Sequence, residues 1–173
     1  VSVYAKKIVG GGKILQVVGK PITTQGIQTL VANIDTQVGA GADFILDVVP
    51  KGRGSSFLIE YRWFGEVVNA WDVIFNVHRD GIRVNNKGLI KAGLSMATQT
   101  YGGTLENNST PEIMHLRTLD KSGSTAGISI QFKLVAAAML VARAMCTNRC
   151  FNASASNVYE QGVSEVIITE IAA

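Results

Sequence analysis

Between residues 56 and 85 (SFLIEYRWFGEVVNAWDVIFNVHRDGIRVN) apolar and polar positions alternate, the period of a β-strand with one face buried. In residues 56–64 one face carries Phe57, Ile59, Tyr61 and Trp63, and the other carries Leu58, Glu60, Arg62 and Phe64. Further on, the dipeptide Asp80-Gly81 favours the tight turn whose twist suits two antiparallel strands. Pairing outward from it matches Arg79 with Ile82, His78 with Arg83 and Val77 with Val84. That register predicts an inward face of Phe75, Val77, Ile82 and Val84, and a solvated face of Asn76, His78, Arg83 and Asn85. A slip of one residue would put the apolar set in water, so turn and pattern specify the same hairpin.

The rest of the chain is punctuated in the same way. Residues 14–18 (ILQVV) form a short β-rich run closed by Gly19 and Pro21. A strand is expected around residues 29–34. Another spans 43–49, with Phe44, Leu46 and Val48 on one face and Asp43, Ile45 and Asp47 on the other. Residues 50–55 (PKGRGS) and 101–111 (YGGTLENNSTP) have loop composition. Strands are expected at 89–97 and 113–119. Residues 127–134 alternate, with Ile128, Ile130, Phe132 and Leu134 on one side. The Ala-rich run 135–145 favours helix by propensity, but Thr147 and Asn148 place the first turn signals beyond it; a further strand is the reading adopted. The β-branched core of residues 162–173 (GVSEVIITEIAA) predicts a buried final strand.

Roughly eight to ten short strands separated by turns make an all-β chain, a sandwich or a barrel, and an antiparallel, jelly-roll-like β-sandwich is the reading adopted. Residues 1–12 read as a leading segment or linker and residues 13–173 as a single domain. Residues 56–64 and 162–173 are apolar on both faces, so a second layer must cover them. Either a second sheet or another copy of the chain would serve, which makes an oligomer the expectation.

Composition narrows the function classes. Hydrophobic residues make up 47% of the 173 positions and charged residues 17%, which argues against disorder. The longest apolar run, residues 134–142, falls well short of the roughly 18 needed to cross a bilayer. The chain opens on Val1 rather than Met, which predicts processing or trimming upstream. The net charge of +3 comes from dispersed Lys and Arg, without the basic stripe that nucleic-acid binding needs.

Candidate chemistry is sparse. His78, opposite Arg83, reads as a solvated surface histidine, and His115 as structural. Cys146 and Cys150 could bridge if residues 147–149 formed a hairpin loop, but two buried thiols are the preferred reading. A metal site on the two cysteines would need two more ligands, and only His78 and His115 are available, in unrelated segments, so no metal site is expected, and no cofactor either. Gly10-Gly11-Gly12-Lys13 lacks phosphate-loop spacing. Asp43 and Asp47 share a strand face and would need ligands from another strand to hold a cation. The sequons at Asn107, Asn108 and Asn152 read as polar loop positions. No serine lies in a nucleophile elbow, and the chain is not expected to be an enzyme. Trp63, Phe64 and Trp71 are the candidate ligand contacts, since aromatic rings can stack on a sugar.

Three pieces of the chain then resemble one family. Residues 12–18 (GKILQVV), 48–59 (VVPKGRGSSFLI) and 162–173 (GVSEVIITEIAA) are similar to segments of a β-rich domain at or near the C-terminus of fibre-like virion proteins of tailed bacteriophages, marine ones especially. Residues 119–134 (LDKSGSTAGISIQFKL) resemble the same family's loop and alternating strand. The resemblance implies a homotrimeric tail-fibre, head-fibre or capsid-decoration domain on the particle surface. It would contact other virion proteins and a host surface glycan or protein, with no nucleic-acid contact and no membrane insertion. A soluble carbohydrate-binding sandwich of lectin or trimeric-cytokine-like type is the alternative, and a hydrolase of surface polysaccharide a third.

Overall fold

The structure is a computed structural model, and it describes residues 12–67, 73–84, 97–99, 111–138, 141–151 and 161–173. Two antiparallel sheets pack as a sandwich. The first holds β1 (Ile14–Ile22), β2 (Gly26–Leu30), β5 (Ser56–Val67), β9 (Glu112–Asp120), β11 (Arg143–Thr147) and β12 (Ser164–Ile171). The second holds β3 (Thr36–Gln37), β4 (Ile45–Val48), β6 (Val73–Arg79), β7 (Ile82–Arg83), β8 (Ala97–Gln99) and β10 (Ile130–Ala138).

Several of these strands continue one another along a single line. β1 and β2 lie against β12 and β11 in turn, while β12 and β11 share one edge of β5, whose other edge takes β9. In the second sheet β4 and β3 share one edge of β10, and β7 and β8 share one edge of β6. With each collinear pair taken as one ribbon, the described residues form eight in sequence order. The first sheet reads 1-8-3-6 and the second 2-7-4-5. This is the doubly wound order of a jelly roll.

The core lies between the sheets, where the alternation of β5 places it. Phe57, Ile59, Tyr61 and Trp63 are all fully buried. Trp63 stacks on Phe75 with ring centroids 5.3 Å apart, and Phe57 on Phe132 at 5.4 Å, so the longest strand of one sheet is keyed into the centre of the other. The Tyr61 hydroxyl donates to the Phe44 carbonyl at 3.3 Å. Gly65 is obligatory here, since a β-carbon would collide with the Trp63 ring and the Cys146 carbonyl.

The Asp80-Gly81 hairpin forms in the expected register, with both turn residues at positive φ (49° and 84°). Its face assignment needs two corrections. Ile82 was expected inside but is 70% exposed, because β7 is two residues long and Ile82 lies beside the turn at the rim. Asn76 was expected in water but is buried, along with its outer-face neighbours Ile74, Val135 and Ala137. Ile128 is likewise exposed, since β10 starts at Ile130.

Other boundaries move by a few residues. The strand expected at 29–34 is β2, ending at Leu30, and β1 runs on through Gly19 and Pro21. Proline fits there because β1 is an edge strand. The Ala-rich run contributes β10 up to Ala138 and β11 from Arg143, in agreement with the strand reading. Most of the strand expected at 89–97 lies outside the described residues, as do Asn85, residues 101–110 and Asn152.

Candidate functional site

The aromatic residues expected to meet a ligand are not brought together. Trp63 points into the core, stacked on Phe75, with its indole N–H donating to Thr147 Oγ1 at 3.0 Å. Its ring has no face open to solvent, which corrects the expectation for this residue. Phe64 is half-buried on the opposite side of β5, next to Gly162 and in register with Ile113. Trp71 lies outside the described residues.

His78 is not the free surface histidine its alternation implied. The loop between β2 and β3 carries Asp35 to the outer side of the second sheet, anchored where Asn33 N–H donates to the Ala138 carbonyl at 2.7 Å. Asp35 Oδ2 lies 2.7 Å from His78 Nε2, and both carboxylate oxygens accept from Arg83, at 2.5 Å from Nε and from Nη2. A carboxylate only accepts, so the shared proton sits on Nε2. Burial alone would raise the pKa of Asp35; the bonds from His78 and Arg83 outweigh it and hold the group at about 2. The cluster clamps a loop onto the sheet, and it holds no nucleophile.

Three further polar groups organise the ends of the sandwich. Arg79 crosses from the second sheet to buried Asp120 at the end of β9, at 2.6 Å, with its guanidinium 5.8 Å above the Phe57 ring. Glu170, fully buried near the end of β12, accepts from the Lys51 and Gly52 backbone N–H groups and from the Gln16 amide at 2.7 Å. Burial would raise its pKa, but those donors hold it below the usual carboxylate range. At the opposite end, Asn148 fills the break where β5 passes from β12 to β11. Its amide donates to the Ile22 and Thr24 carbonyls at 2.7 and 2.9 Å, while its oxygen accepts from Ser164 N–H and Oγ at 2.9 and 2.6 Å.

Cys146 and Cys150 are both buried and no disulfide joins them. β11 stops at Thr147 and Arg149 bridges onward to Gln161, so residues 147–149 do not form the short hairpin a bridge would have required. Burial pushes the Cys146 thiol up to about 12, which makes it a poor nucleophile. Asp43 accepts from Thr24 Oγ1 and from the Ala40 N–H within its own loop, while Asp47 accepts from Gln131. Among the described residues no group of three or more His, Cys, Asp or Glu side chains could hold a metal ion. Among the described residues there is no helix long and apolar enough to cross a membrane.

What remains exposed is a face. On the outer side of the first sheet, Val17, Thr169, Leu58 and Leu119 form one register row across all four ribbons. Ile14 and Ile171 pair on one side of this row and Ile167 lies on the other. Val17 and Ile14 are each 58% exposed, and Leu119 and Ile167 each 36%. The ion pair Arg117–Glu60 shares the row of Ile167, the pair Arg62–Glu165 lies in the next row, both at 3.4 Å, and Phe64 and Ile113 come after them. Further along β5 the chain closes its own face: Glu66 and Cys146 are buried, with Phe151 N–H donating to Glu66 and Cys146 Sγ to the Arg149 carbonyl. Sequence reasoning treated these outward positions one strand at a time. Only the register between β1, β12, β5 and β9 assembles them into a surface.

The class that fold and surface define is a jelly-roll β-sandwich with one open, partly apolar sheet face. No protein-family model matches this chain, and no curated protein matches it.

Proposed function

We propose that this chain is a non-enzymatic virion structural protein of a tailed bacteriophage, a fibre or capsid-decoration domain assembled as a homotrimer on the particle surface and contributing to host attachment. The observation that carries the reading is how the phage-like segments meet in space. Residues 12–18 lie in and just before β1, residues 162–173 contain β12, and the two strands pair directly. Residues 48–59 supply the loop whose Lys51 and Gly52 N–H groups bond Glu170 of β12, which also accepts from Gln16 of β1. Residues 119–134 close the same end, where Ser124 Oγ donates to the Gly52 carbonyl and Gly54 N–H to the Ser124 carbonyl. Pieces far apart in sequence therefore form one hydrogen-bonded unit, which gives their joint occurrence a physical reason. Jelly rolls also build viral capsid domains, a parallel of fold alone.

The carbohydrate-binding alternative has less support, because Trp63 offers no stacking face. The test is made on purified particles, by quantitative mass spectrometry and by electron microscopy with an antibody raised against the chain. The expected result is copy numbers in multiples of three, with label on the particle exterior. Absence of the chain from the particles would overturn the reading.

A further inference from the structure

We propose that the open face of the first sheet is where one copy of this chain docks on another, with the row Val17, Thr169, Leu58 and Leu119 at its centre. The inference rests on the homo-oligomeric part of the function proposed above and gives it a surface.

Four observations select the occupant. The two sheets differ in cover: at Ile74, Asn76, Val135 and Ala137 the outer side of the second sheet is closed from solvent, whereas the first sheet leaves Ile14, Val17, Leu119 and Ile167 open. The apolar positions are contiguous, since they fall in neighbouring register rows, unlike the isolated apolar residues any surface carries. The charges beside them cancel, because Arg117 pairs with Glu60 and Arg62 with Glu165. A face of one sign would repel its own copy and attract an oppositely charged partner; a compensated face tolerates its own copy.

The area also fits. Four ribbons about 4.8 Å apart and a length of about 3.3 Å per residue from Ser56 to Phe64 give a face of roughly 19 by 26 Å. That is on the order of 500 Å² in projection and more once side-chain relief is included. A specific interface should clear about 1,000 Å² in total, about 500 Å² from each partner, and the face reaches that bound.

The intact chain is weighed in solution at micromolar concentration by light scattering and sedimentation. Leu119→Lys and Ile167→Lys are compared with two controls exposed elsewhere, Ile82→Lys and Ile128→Lys. A double variant, Val17→Ser with Leu119→Ser, repeats the test without adding charge. Circular dichroism and a cooperative melt establish that each variant is folded. The expected result is an oligomer for the wild type and both controls, and a fall to the single-chain mass of 18.4 kDa for the face variants. A wild-type oligomer that the folded face variants leave intact would overturn this surface while sparing the oligomeric reading. A monomeric wild type would overturn both, and the particle-location test would still judge the virion role separately.

Discussion

Asn148 uses every hydrogen-bonding position its side chain has: two donors to carbonyls of the β1–β2 connection and two acceptor sites to Ser164. Its positive φ of 60° is one that asparagine tolerates better than most residues. Removing the amide would strand two carbonyls and a buried hydroxyl together, so Asn148→Ala is expected to cost about 2–4 kcal/mol in urea unfolding. Asn148→Asp should cost at least as much, because an acceptor would then face the Ile22 and Thr24 carbonyls. Asp35 gives a prediction in pH. Its pKa is depressed from 3.8 to about 2 in the folded chain, so its contribution is complete above pH 4 and is lost as pH falls toward 2. Two units correspond to about 2–3 kcal/mol. Asp35→Asn should flatten the loss of stability between pH 4 and 2 by that order, measured by urea titration at each pH. The slope due to Glu170, depressed in the same sense, should persist.

Between elements, the ion pair of Arg79 with Asp120 joins the end of β6 in one sheet to the end of β9 in the other. Deleting one partner leaves the other charge largely buried, so Asp120→Ala should cost about 3–5 kcal/mol. The apolar double replacement Arg79→Met with Asp120→Leu should recover most of that, a pattern that separates a buried charge from lost packing. Calorimetric melting of the three variants checks it. Alternation made β5 and the Asp80-Gly81 hairpin legible in the sequence, and a run of β-branched residues did the same for β12. Alternation failed at His78, where the Asp35 loop is bonded to the strand, at Ile82, which lies at the rim of the sheet, and at Asn76, which is buried on the outer side. Asp35 lies far from His78 and Arg83 in sequence and carries no motif, so only the folded loop could reveal their clamp. For the open face, each strand announced its own outward residues, while the order of strands that juxtaposes them is a long-range property.

At the scale of the whole molecule, the jelly-roll order sets which segments are dispensable. β12 comes last of the described strands, yet it lies inside the first sheet, between β1 and β5, and pairs with both along nearly its whole length. It also supplies Val166 and Ile168 to the core and Glu170 to the loop that begins at Pro50. An edge strand such as β1 leaves one neighbour unpaired when it is lost. Loss of β12 unpairs two and strands the buried face of β5, including Ile59 and Tyr61. A chain ending after Val163 is therefore expected to show no cooperative thermal transition and to bind a hydrophobic dye, whereas the full chain melts in one step. A cooperative melt of the shortened chain near the parent temperature would mean that β5 and β1 hold the first sheet together without the strand between them, contrary to the pairing described here.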